Sequence, residues 1–148
     1  MLGLIQRVKK AQVDVNGECV GRIDQGLLLL LGVEKKDTAE VADKLIDKIL
    51  AYRVFADDQQ KMNCSVAQIN GGVLVVSQFT LAADTKKGLR PSFSSAMPPD
   101  EAEKMYDYVV SQLRKKHEKI ATGIFGADMQ VSLVNDGPVT FMLNMTND

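Results

Sequence analysis

The chain has 148 residues, 45% of them hydrophobic and 25% charged, and a formal net charge of −1 at pH 7. That length and balance suit one globular domain spanning residues 1–148, with enough chain to bury a sizeable core. Near-neutrality excludes a general polyanion binder, so any nucleic-acid contact has to use a local basic patch. Leu2 to Val8 and Ala11 to Val15 read as strands. Asn16-Gly17 is a hairpin signal, because both residues tolerate positive φ, and Cys19 to Ile23 is the return strand. Gly26 opens the run Leu27 to Val33, which suits a strand buried on both faces. Asp37 is placed as an N-cap with Glu40 three residues on, and apolar residues at helical spacing carry a helix to about Leu50. Tyr52 to Phe55 reads as a short strand.

After Gly71-Gly72, Val73 to Leu81 reads as one strand, apolar at first and then polar at Ser77, Gln78 and Thr80. Such an end either delivers side chains to a pocket or simply emerges into solvent. Ala82 to Ser95 lacks periodicity and carries Lys86, Lys87 and Arg90; a connection this long is usually functional or disordered. Pro98-Pro99-Asp100-Glu101 starts a second helix, which ends in the basic Arg114-Lys115-Lys116-His117. Thr122 to Ala127 is broken by glycines, and Met129 to Val134 alternates as a strand. Asn135-Asp136-Gly137-Pro138 then reads as a turn before Val139 to Leu143. Local composition makes Gly137-Pro138 a trans turn, since only ~5–6% of X-Pro bonds in folded proteins are cis. Two helices are too few to cover both faces of a parallel sheet. The expected fold is therefore α/β in three α/β/β layers: two stacked, mostly-β sheets with both helices on one outer face.

The longest apolar run, Leu27 to Leu31, is too short to span a bilayer, and no signal-peptide core follows Arg7, Lys9 and Lys10. Cys19 and Cys64, without CxxC spacing, fit free thiols in a reducing, cytoplasmic compartment, with a single bridge left open. One histidine, two distant cysteines and no clustered carboxylates argue against a metal site, and no P-loop or Rossmann fingerprint calls for a cofactor. A Ser-His-Asp triad would need His117, which reads as a charge in the last turn of an exposed helix. The remaining chemistry lies at Ser77, Gln78 and Thr80. On an ideal strand Ser77 and Phe79 face one way, Gln78 and Thr80 the other. A hydroxyl nucleophile needs a base, and none is evident near Thr80, so the site favours a substrate that is already activated. It could orient that substrate and offer backbone N–H donors to a developing oxyanion. Lys86, Lys87 and Arg90 either hold phosphates or form a solvated basic loop.

Four motifs in order carry a resemblance: Ser77-Gln78-Phe79-Thr80, Lys87-Gly88-Leu89-Arg90-Pro91-Ser92-Phe93, Phe125-Gly126-Ala127-Asp128-Met129 and Asn135-Asp136-Gly137-Pro138-Val139-Thr140. With Ile5-Gln6-Arg7-Val8 and Lys61-Met62-Asn63, the chain resembles the D-aminoacyl-tRNA deacylases over essentially its whole length. Ala82 departs from the pattern, where an aromatic is expected; this would alter pocket packing. The resemblance implies hydrolysis of the ester joining a D-amino acid, or glycine mischarged on tRNA(Ala), to the 3′-terminal ribose of tRNA. It implies a homodimer in which a cis Gly137-Pro138 enters the partner's site and rejects L-amino acids. It also implies that Ser77, Gln78, Phe79 and Thr80 line the pocket for the terminal adenosine and ester. Phe125, Ala127 and Met129 would extend its wall, and Arg7 would orient the Gly-Pro turn. The vicinal ribose hydroxyl would assist the attacking water. Two alternatives stand beside this expectation: Thr80 as a covalent nucleophile on the same substrate, and a non-catalytic RNA-binding dimer using Lys86, Lys87 and Arg90.

Overall fold

A computed structural model describes residues 1–147. The strands are β1 (Leu2–Val15), β2 (Glu18–Ile23), β3 (Gly26–Gly32), β4 (Phe55–Ala56), β5 (Met62–Cys64), β6 (Gly72–Ser77), β7 (Ile120–Thr122) and β8 (Gln130–Asn144). The helices are α1 (Ala39–Ala51) and α2 (Pro99–Lys116), and a 3₁₀ turn covers Phe79–Ala82.

Turn chemistry and apolar patterning build the first half. Asn16 and Gly17 both have positive φ, as the expected hairpin requires, and join β1 to β2. β1 is one strand of 14 residues where two were expected. It continues through Lys9 and Lys10 because β8 pairs with it on both sides of that point, with register shifts between Gln6 and Val8 and between Val8 and Lys10. Residues 2–8 of β1 pair with β3, and residues 11–15 pair with β2. β3–β6 and β6–β7 are parallel, and the connections between them carry α1 and α2.

The observed class is mixed α/β, with a six-stranded sheet in the order β2-β1-β3-β6-β7, β8 attached to β1, and a separate β4-β5 pair. Two stacked, mostly-β sheets were expected; hydrogen bonding through β1 joins the main strands into one sheet. The sheet nearly closes on itself: a Cβ at Gly21 of β2 would lie 2.2 Å from the Thr122 carbonyl oxygen of β7. Only glycine permits that approach.

The core lies on both faces of β3. Leu27, Leu29 and Leu31 join Leu45, Ile46 and Ile49 of α1 and Val109 and Leu113 of α2. Leu28 joins Leu74 and Val76 of β6, Val8 and Val13 of β1 and Ile23 of β2, with Val131 and Leu133 of β8 packed against them. The doubly buried strand and the two helices sharing one core are thus as the apolar pattern implies. No helix among the described residues is long and apolar enough to cross a membrane. Cys19 and Cys64 are both free.

Three local expectations are corrected. Thr38, not Asp37, caps α1, its Oγ1 accepting from the Val41 N–H at 3.3 Å. Asp37 instead accepts from the Glu34 N–H at 2.7 Å and pairs with the Met1 amine at 2.7 Å. The strand expected over Tyr52 to Phe55 is reduced to Phe55–Ala56. The strand expected to reach Leu81 ends at Ser77. There Gln78, at φ −138° and ψ 79°, turns the chain into the 3₁₀ segment, closed by Leu81 N–H to Gln78 C=O at 3.2 Å.

Candidate active site

β6 ends at a cavity of about 730 Å³ lined by Ser77, Gln78, Phe79, Phe125, Ala127 and Met129. Six of the expected site residues, from two distant stretches of chain, therefore meet. The break at Gln78 positions them. The Gln78 N–H makes a last bond to the Leu31 carbonyl at 2.8 Å, and the chain then turns, leaving Phe79 exposed at the cavity mouth. Strand alternation beyond Ser77 therefore does not decide which way Phe79 and Thr80 point. The Phe79 ring packs against Phe93, with centroids 5.1 Å apart and planes tilted by 50°. Both rings are partly exposed, giving the mouth an aromatic surface on which a base can stack.

The second wall follows from a tight turn. Ala127 N–H donates to the Ile124 carbonyl at 3.2 Å, and Gly126, at φ 76°, takes the turn position that requires positive φ. Phe125 is backed by Tyr106, with ring centroids 5.8 Å apart. The Tyr106 hydroxyl donates to the Val75 carbonyl at 3.2 Å, and burial, aided by the Asp107 carboxylate, pushes its phenol up to about 12. It is therefore a neutral donor that fixes the wall. Lys35 and Asp128 also line the cavity, as do Met97 and Pro98. Lys35 follows β3 in a loop with no pattern of its own, so nothing in its local sequence marks it.

Thr80 lies outside the cavity lining. Its Oγ1 accepts a hydrogen bond from Gln78 Nε2, an amide that cannot act as a base. His117 is not the exposed charge that its basic neighbours suggest. It follows the last turn of α2 as the C-cap, is buried, and places Nε2 2.6 Å from the Gly71 carbonyl oxygen. Replacing His117 with alanine orphans that buried carbonyl, with an expected stability loss of about 1–3 kcal/mol in chemical denaturation. If His117 is only structural, the folded fraction keeps the activity of the unaltered chain. A rate loss far beyond the unfolded fraction would instead give His117 a catalytic task.

Lys86, Lys87 and Arg90 are exposed and line no part of this cavity. They belong to a loop whose base is closed by reciprocal bonds between Asp84 and Ser92 at 2.7 and 2.9 Å.

Gly137-Pro138 occupies a different part of the subunit. The bond is cis, against its local composition, and β8 runs straight through it rather than turning back as expected. Gln6 pairs with Thr140 and Val8 with Asn135, so the four residues 136–139 stand opposite Arg7 alone. The excess chain projects, and Gly137 and Pro138 are exposed. Arg7 holds the base of the projection: Nε donates to the Asp136 carbonyl at 3.0 Å and Nη1 to the Val54 carbonyl at 2.7 Å. Neither Arg7, Gly137 nor Pro138 lines the cavity of its own subunit.

Comparison with known proteins points to one family. The family model described as D-Tyr-tRNA(Tyr) deacylase matches residues 4–144. The chain is 71% identical over 145 residues to a D-aminoacyl-tRNA deacylase of Cellvibrio japonicus, covering 98% of this chain and 99% of that protein. It is 63% identical over 143 residues to the enzyme of that name from Stutzerimonas stutzeri, covering 97% of this chain and 99% of that protein. Among solved structures it is similar to one titled c-Myc DNA Unwinding Element Binding Protein, at TM-score 0.94 and 42% identity, covering 97% of this chain and 98% of that one. A probable eukaryotic D-amino acid tRNA deacylase shares the fold at TM-score 0.84 and 16% identity, covering 96% of this chain and 97% of that one.

Proposed function

Because the chain belongs to the D-Tyr-tRNA(Tyr) deacylase family, we propose that it is a D-aminoacyl-tRNA deacylase, a carboxylic ester hydrolase that releases free D-amino acid and tRNA in the cytoplasm. Glycine mischarged on tRNA(Ala) is a second substrate in this reading. The observation that carries it is the convergence of Ser77, Gln78, Phe79, Phe125, Ala127 and Met129 on one aromatic-mouthed cavity. The cavity takes the 3′-terminal adenosine, with the base against Phe79 and Phe93 and the ester near Ser77, Gln78 and the neighbouring Thr80. Lys86, Lys87 and Arg90 hold phosphates of the tRNA.

An aminoacyl ester is activated, so the site has to position more than it has to attack. Water adds to the ester carbonyl, and the vicinal ribose hydroxyl relays the water's proton, passing its own on to solvent. The oxyanion is met by main-chain N–H donors where the chain leaves β6. Collapse of the tetrahedral adduct breaks the acyl–oxygen bond and returns the proton to the ribose oxygen. Thr80 orients through Gln78 rather than attacking, since its hydroxyl faces an amide and not a base.

Selectivity comes from a second copy of the chain. Gly137-Pro138 is exposed and lies apart from its own subunit's cavity, which supports a homodimer in which each projection enters the partner's site. There the carbonyls of Gly137 and Pro138 accept hydrogen bonds from the substrate ammonium. With ammonium and ester fixed, an L side chain strikes this wall and a D side chain points away. Rejection is by exclusion, so many D side chains and glycine pass.

Purified protein is expected to deacylate D-tyrosyl-tRNA and leave L-tyrosyl-tRNA intact. Equal rates on both would defeat the exclusion mechanism. Salt-dependent tRNA binding with neither ester cleaved would favour the non-catalytic alternative.

A further inference from the structure

The projection on β8 has to hold its shape to act as a wall, and only part of that shape comes from Arg7. The remainder converges on a side chain with no task so far. Asn135 is the last β8 residue in register before the projection, paired with Val8. Its Oδ1 accepts from the Val139 N–H at 2.9 Å, and its Nδ2 donates to Thr140 Oγ1 at 2.9 Å. A single amide thus spans residues 136–138 and ties the chain entering the projection to the chain leaving it. The Val139 side chain is buried in the main core. Thr140 is back in register opposite Gln6. Asn135 therefore bonds both residues that follow the projection, and the three residues between are the ones constrained.

We infer that Asn135 is the positioning residue of the stereochemical filter, clamping the projection from its own strand while Arg7 braces it from β1. The inference rests on the proposed role of Gly137-Pro138. Asn135 itself touches no substrate: it acts by fixing the directions of the Gly137 and Pro138 carbonyls. Arg7 constrains the projection at Asp136, before Gly137, and Asn135 constrains it at Val139, after Pro138. With both in place the segment is held at each end. With Asn135 gone it pivots about Asp136, and the wall that excludes an L side chain recedes.

The chemistry of the clamp separates two variants. Asn135→Ala removes both bonds. Asn135→Asp keeps an acceptor for the Val139 N–H, and its second oxygen accepts from the Thr140 hydroxyl, so the clamp survives with one bond reversed. The test measures kcat/KM for D- and L-tyrosyl-tRNA in wild type and both variants, together with amide hydrogen exchange at Val139. For Asn135→Ala the D/L ratio is expected to fall at least tenfold, and Val139 exchange to rise at least tenfold while the flanking β1–β8 ladder keeps its protection. For Asn135→Asp the ratio stays within about threefold of wild type, the order of effect of exchanging one hydrogen bond for another. A ratio that holds in Asn135→Ala although Val139 exchange rises would overturn the positioning role and leave Asn135 a structural cap. A fall of equal size in both variants would also overturn it, because the clamp is intact in only one. Failure of wild type to discriminate would instead strike the underlying reading of Gly137-Pro138, and this inference with it.

Discussion

Replacing Gly137 with alanine is expected to lower the preference for D- over L-tyrosyl-tRNA by on the order of 100-fold, the cost of a displacement of about 1 Å in a positioned group. Gly137 has φ 129°, a conformation that L-residues rarely adopt. A Cβ there would lie 2.8 Å from Val139 Cγ2 and 3.0 Å from Arg7 Nη2. Val139 is buried in the core and cannot yield cheaply. Arg7 can yield only by loosening its hold on the Asp136 and Val54 carbonyls. Local strain of about 1–3 kcal/mol is therefore relieved by moving the exposed projection, since nothing in its own subunit's core depends on residues 136–138. The fold survives and the wall shifts. Parallel kcat/KM measurements on the two esters, with a thermal melt to show the fold intact, check this. An unchanged ratio in a folded variant would remove Gly137 from stereoselection.

The behaviour of this segment shows where sequence reading succeeds and where it stops. Leu27 to Leu31 could be read as a doubly buried strand because an unbroken apolar run needs apolar cover on both sides, and the two core clusters provide it. The stripes of α1 and α2 were equally legible, since helical spacing is a local property. The hairpin at Asn16-Gly17 was legible from the backbone freedom of two residues. Errors arose where a distant partner decides the outcome. Gly137-Pro138 looked like a turn between two strands, but β1 supplies a continuous partner on either side and makes it a projection within one strand. Asp37 looked like an N-cap because the Met1 amine, which claims its carboxylate, is 36 residues away. His117 looked like an exposed terminal charge because Gly71, its buried partner, precedes it by 46 residues. The site divides in the same way. Ser77, Gln78, Phe79, Phe125, Ala127 and Met129 entered as motif positions and meet in one cavity, whereas Lys35 and Met97 are brought there by tertiary packing alone. The residues proposed to select lie apart from the residues proposed to bind, and sequence order carries no trace of that separation.

That separation makes the cavity testable without touching the projection. Ala127→Trp is expected to lower kcat/KM for D-tyrosyl-tRNA by about 1000-fold, equivalent to about 4 kcal/mol of lost transition-state binding. Ala127 lines the cavity and is only partly buried, at the end of the turn that presents Phe125. An indole at this position has empty space to enter, so it displaces substrate without overpacking the core. The melting temperature should accordingly move by only a few degrees. Ile124 provides the matched control. It opens the same turn, is 46% exposed, and lines a separate hollow of about 660 Å³ alongside α2. Ile124→Trp adds the same ring to the same turn outside the binding cavity, and its kcat/KM is expected to stay within about threefold of wild type, the scale of surface substitutions away from structural features. Equal losses in the two variants would mean that the turn, and not the space beside Ala127, is what the tryptophan disturbs. Full activity in both would place the acceptor end of the tRNA somewhere other than the cavity at the end of β6.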